Sequence, residues 1–154
     1  MSHTETHRIA DQLRRAVAGP AWHGPSLAEA IAGISADQAA KRPLAAAHSI
    51  HELLAHAVAW LEIVRLRLER HPRRVTDALD WPDVTGVDWA TAGERLDRAA
   101  HDLGAAIRSL DDGRLSDEIP VDGDRWSVYE TLHGVIQHAL YHAGQISMLK
   151  KGLS

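Results

Sequence analysis

The sequence predicts an all-α protein: a four-helix bundle with one short extra helix, in a single domain over residues 1–154. Three observations predict it. Four segments repeat apolar residues at intervals of three and four, the spacing of helices turned toward a shared core. Clusters of Gly, Pro and Asp separate those segments without a long linker. No segment shows the short β-branched alternation of a strand. Four such helices on short connections give an up-and-down or crossover bundle.

The first helix covers residues 4–18 and stops at Gly19-Pro20. A short one follows Ser26, in SLAEAIAGIS. The second long helix covers 49–70 and ends at His71-Pro72, with Ile50, Leu53, Leu54, Ala57, Leu61, Val64 and Leu68 on one stripe. The third covers 88–110, with Asp88 as N-cap and Asp111-Asp112-Gly113 as its stop. Its stripe is Ala92, Leu96, Ala99, Leu103 and Ile107. The fourth covers 127–151 and stops at Gly152. Its stripe is Val128, Leu132, Val135, Ile136, Ala139, Ala143 and Ile146.

Helix starts carry a repeated signal. Ser26, Ser49 and Ser127 are each followed three residues later by a glutamate: Glu29, Glu52 and Glu130. In such a capping box the hydroxyl and the carboxylate satisfy N–H groups that the first turn leaves unpaired. Losing one cap costs ~1 kcal/mol. Glu52 and Glu130 are assigned to this role.

Composition limits the function. At 154 residues the chain is long enough for one domain with a core. A net charge of −4, mixed in sign, lacks the concentrated basic patch that nucleic-acid binding wants. There is no Cys, which excludes disulfides, Cys-ligated zinc and catalysis by a protein thiolate. The opening MSHTETHRIADQLRRAV has no apolar core of signal-peptide type. No stretch approaches the ~20 apolar residues of a membrane span. These features predict a cytoplasmic protein.

Histidine occurs 11 times. His23, His71 and His101 read as surface or loop residues. The informative stretch is QHALYHAGQI, residues 137–146. His138 and His142 stand about 40° apart around the helix and one turn apart along it. That geometry lets two imidazoles bind one metal ion. The plainer alternative is a pair of half-buried histidines bonded to carbonyls or carboxylates. His133 points about 140° from His138 and cannot share an ion with it without distortion. His3 and His7 repeat the spacing in a terminal segment expected to fray and face solvent.

A third ligand must come from another helix. The second offers His48, His51 and His56 in AHSIHELLAHAVAWLE. His48 precedes the Ser49 cap. His51 and His56 lie at opposite edges of the stripe, and periodicity does not choose between them. His56 lies deeper, among Leu53, Ala57 and Trp60, and is preferred because a ligand there is held more rigidly.

AHSIHELLAHAVAWLE followed by VYETLHGVIQHALYHAGQISMLKKG resembles the DinB-like family of metal-binding four-helix bundles, the damage-inducible family rather than the polymerase of that symbol. The family pattern is a serine-capped second helix with one His, then a last helix reading His-x-x-x-His-x-Gly-Gln-Ile. Here those positions are His56, His138 and His142, followed by Gly144, Gln145 and Ile146. Trp60 and the pair Asp88-Trp89 also look like a subgroup of it. The resemblance spans almost the whole chain, and the last motif is its most specific part. It implies a three-His site for a divalent ion, often zinc or nickel, and a homodimer. It also implies kinship with transferases acting on low-molecular-weight thiols and with a thiol-dependent isomerase.

Three imidazoles leave a zinc ion one or more open positions. The enzyme reading is therefore metal-dependent transfer of an external thiol to a small electrophile, or its hydrolysis. A module that holds metal or ligand without turnover is the first alternative, and a structural ion tying the second and fourth helices is another. Gln145 lies about 20° from the direction of His138, two turns on, where it orients a ligand or stays at the surface. Gly144 costs the helix ~1 kcal/mol relative to Ala, and either admits a neighbouring helix or opens a pocket mouth. Tyr141 points away from the site. Asp124 and Arg125 fall in the loop before the last helix. Trp22 and Trp81, apolar residues in loops, suit a dimer surface or the bundle ends.

Overall fold

The computed structural model describes residues 4–71, 74–121 and 123–153. Its long helices are α1 (Glu5–Ala18), α4 (Ile50–Leu68), α6 (Trp89–Arg108) and α7 (Val128–Lys151). Three short helices join them: α2 (Leu27–Ile31), α3 (Ala36–Ala40) and α5 (Asp77–Asp80). The expected extra helix after Ser26 is α2.

α1 and α4 each pack against both α6 and α7. The bundle is therefore a square with α1 diagonal to α4. α2 lies on α7 and α1, and α3 on α4. Every residue of the three predicted stripes is buried. Ile9 and Leu13 of α1, Leu54 and Leu61 of α4, Leu96 and Leu103 of α6, and Leu132 and Ile146 of α7 are each under 2 % exposed. Each such side chain contributes about 1.5–3 kcal/mol of burial.

All three predicted capping boxes form in both directions, at Ser26, Ser49 and Ser127. Ser35 and Gln38 make a fourth, at the start of α3. α1 does not begin as a frayed end. The Asp112 carboxylate accepts the backbone N–H groups of Glu5 and Thr6 at 2.9 and 3.0 Å. His7 is exposed beside it, as expected, and His3 lies outside the described residues.

The expectation of no strand is corrected. Two short strands, β1 (Glu118–Val121) and β2 (Asp124–Ser127), pair antiparallel immediately before α7. Asp124 and Arg125 thus sit in a strand rather than a loop. The exposed Arg125 guanidinium pairs with Glu118 across the ladder at 2.8 Å. Four-residue strands are too short to show alternation. Gly123, at φ 96°, supplies the left-handed backbone of the connection, and it completes an Asp-Gly pair in the sequence, a dipeptide that favours tight hairpin turns. No helix among the described residues is long and apolar enough to cross a membrane.

Candidate metal centre

α4 and α7 lie side by side, and the Ser49 and Ser127 boxes fix where each begins. His56 stands on α4, two turns in; His138 and His142 stand on α7. The three rings meet although His56 and His138 are 82 residues apart. Nε2 of His138 lies 2.9 Å from Nε2 of His56 and 3.0 Å from Nε2 of His142. All three residues offer ligand atoms within 4.8 Å of one another.

Hydrogen bonds fix which nitrogen carries the proton in two of the rings. His56 Nδ1–H donates to the Asp80 main-chain carbonyl at 2.5 Å. His142 Nδ1–H donates to Gln145 Oε1 at 2.7 Å. Both rings, when neutral, therefore turn Nε2 lone pairs toward His138. A single proton on His138 Nε2 can serve only one of them. A cation between the rings satisfies all three at once. The two spacings from His138 are slightly under the about 3.3 Å expected for bonds of 2.0–2.1 Å at tetrahedral angles. The donor set fits a divalent ion.

The electrostatics agree with neutral ligands. Burial first, then the imidazoles of His142 and His56, push His138 down to about 4. Burial also lowers His142, although its hydrogen bond to Gln145 acts in the opposite direction. Neutral imidazole is the metal-binding form.

One family model, described as the DinB superfamily, matches residues 21–146. The chain belongs to the DinB superfamily. The matched span takes in His56, His138, His142 and Gln145. No curated protein and no solved structure matches the chain. The clustered imidazoles and the helical bundle of this DinB superfamily chain support metal binding.

The structure resolves the choice that periodicity left open. His51 points away from the triad, edge-on to Trp89 with ring centroids 5.4 Å apart. It is 8 % exposed, and burial lowers its pKa. His48 is outside the triad too, before the cap. Tyr141 is 65 % exposed and off the apolar stripe as expected, but it is not remote from the site: its ring meets the His142 ring edge-on, with centroids 5.2 Å apart. Glu52 and Glu130 serve their caps, and Glu52 also pairs with Arg42.

Two contributors escaped the sequence reading. Asp80, at the end of α5, supplies the carbonyl to His56. Its carboxylate, 3.4 Å from the same ring, accepts Trp60 Nε1–H at 2.7 Å. Trp81 neither closes a bundle end nor faces outward. It lies between His48 and His56, stacked on both at 3.6 and 3.9 Å between centroids. The adjacent Asp80-Trp81 pair, a polar acceptor beside a flat ring, was the available signal.

A cleft of about 660 Å³ opens on the His56 and His138 side, bounded by Trp60, Trp126, Tyr129 and His133. Another of about 790 Å³ opens beyond His142, bounded by Leu44, Trp81, Tyr141, Gly144 and Met148. A Cβ at Gly144 would meet nothing within 4 Å, so no neighbouring helix among the described residues approaches it closely and the glycine belongs to a cleft mouth.

Proposed function

We propose that His56, His138 and His142 bind one divalent metal ion, zinc or nickel, through their Nε2 atoms, with coordination positions left open. The observation that carries the reading is the meeting of three Nε2 atoms, two of whose rings donate from Nδ1 elsewhere. Gln145 and the Asp80 carbonyl hold two of the rings in the binding tautomer, the usual role of outer partners of metal-bound imidazoles. A bound ion of this kind supplies Lewis acidity and lowers the pKa of a coordinated water or thiol.

The activity this supports best is metal-dependent transfer of a low-molecular-weight thiol to a small electrophile, or hydrolysis of that electrophile. The chain has no Cys, so the thiol comes from outside. Clefts on both flanks of the triad favour an accessible ion over a purely structural one. The same protein works in the cytoplasm as a homodimer. The apolar face around Gly144, where Leu44, Tyr141 and Met148 are 62–70 % exposed, supports that assembly.

Elemental analysis of untagged protein purified without metal resin tests the ion. About one equivalent is expected in the wild type and a large loss in His142→Ala. Turnover of a panel of thiols and electrophiles tests the reaction. Equal rates for the loaded wild type and His142→Ala would remove the metal from it.

A further inference from the structure

Gly134 stands in the interior of α7, one turn before His138, and borders the cleft shared with His56 and Trp60. Glycine weakens a helix interior relative to alanine. Close approach by a neighbouring element commonly accounts for such a residue. Here a Cβ would meet nothing within 4 Å. Its neighbour His133 packs its ring on Tyr129, with centroids 4.3 Å apart. His133 Nε2 is covered and has no hydrogen-bond partner among the described residues. A buried polar atom in that condition is costly and calls for a partner. Trp60, with the Arg67 guanidinium 5.4 Å from its ring centroid, and Trp126 add flat aromatic walls to the cleft. The volume of about 660 Å³ suits a small organic molecule.

We propose that this cleft, rather than the apolar one beyond His142, binds a small flat apolar molecule carrying one hydrogen-bonding atom. The aromatic rings hold its faces. Gly134 gives it room against the helix backbone. His133 meets its polar atom after a turn about χ2, a torsion with broad minima. That this molecule is the electrophilic reactant rests on the metal reading above; its binding does not.

The test uses the intact protein, indole as probe, and indene as its analogue without the N–H. Binding is followed by NMR. Indole is expected to shift the amides of residues 129–138 and the indole N–H signals of Trp60 and Trp126. Indene should bind roughly three- to tenfold more weakly, the worth of one hydrogen bond. His133→Phe should bring indole down to the affinity of indene and leave indene unchanged. Gly134→Leu should fill the cleft and weaken both probes by about tenfold or more. Its melting temperature should not fall, because leucine is the better helix former. Equal indole binding by the wild type and Gly134→Leu, or shifts centred on Tyr141 and Met148, would overturn the assignment. Metal content is measured on the same samples. A metal-free protein with the expected shifts sinks the reaction reading and leaves the cleft. A metal-loaded protein without them sinks the cleft and leaves the ion.

Discussion

His142 and Gln145 are tied along one turn of α7: the imidazole Nδ1–H donates to the amide Oε1 at 2.7 Å. The bond keeps the His142 proton away from the other two rings. Gln145→Ala should therefore lower metal affinity by about 10- to 100-fold, the usual effect of losing an outer hydrogen bond. Gln145→Glu keeps the acceptor and should retain most of the affinity. Competition with a chromophoric chelator measures both. Unchanged affinity in Gln145→Ala would show that the amide does not orient the ring.

Acid should destabilise the metal-free protein in a defined window. His138 is held at about 4 in the fold against 6.5 when unfolded, and His142 is lowered too. Below pH 6.5 the unfolded chain takes up protons that the fold refuses. Stability then rises with pH, since the unfolded state binds more protons. The contribution is complete above pH 6.5, shrinks as pH falls, and is gone below about 4. Urea unfolding between pH 7 and 4, with chelator present, should show this slope. In His138→Gln the slope should be shallower.

The Ser49 cap offers a control on the site. Its hydroxyl accepts Glu52 N–H at 3.2 Å, and the Glu52 carboxylate accepts Ser49 N–H at 2.7 Å. Ser49→Ala should cost about 1 kcal/mol. For a chain of this size that is a fall in melting temperature of about 2–4 °C. His56 lies well beyond the first turn, so metal affinity should hold. A large loss of metal in Ser49→Ala would mean that the cap positions His56 directly.

Leu54 tests the core from which α4 presents His56. It is 0 % exposed, two residues before His56. Leu54→Ala should destabilise by about 2–5 kcal/mol through lost transfer energy and the cavity left behind. Calorimetry reads the change. A cost under about 1 kcal/mol would mean that the bundle collapses around the gap.

How much was legible follows from the range of each interaction. The α4, α6 and α7 stripes were readable because burial repeats with the helix period, and the boxes at Ser26, Ser49 and Ser127 because each is closed within three residues. The hairpin before α7 was missed because its strands have four residues each and gain order from one another. α5 was missed for a related reason: four residues have little periodicity, and the position of Asp80-Trp81 matters only against α4.

The sequence by itself determined the helix spans, their buried faces and the pairing of His138 with His142, since four residues of helix leave little freedom in where two side chains point. From α4 it offered both His51 and His56, favouring the second only for its depth. Only the tertiary structure turned His56 toward α7 and His51 toward Trp89, and brought Asp80, Trp81 and the His133 cleft to the same place. Those outcomes depend on how two helices rotate and pack against each other across many residues of chain. Local spacing does not encode that rotation; it is decided when the whole core closes at once.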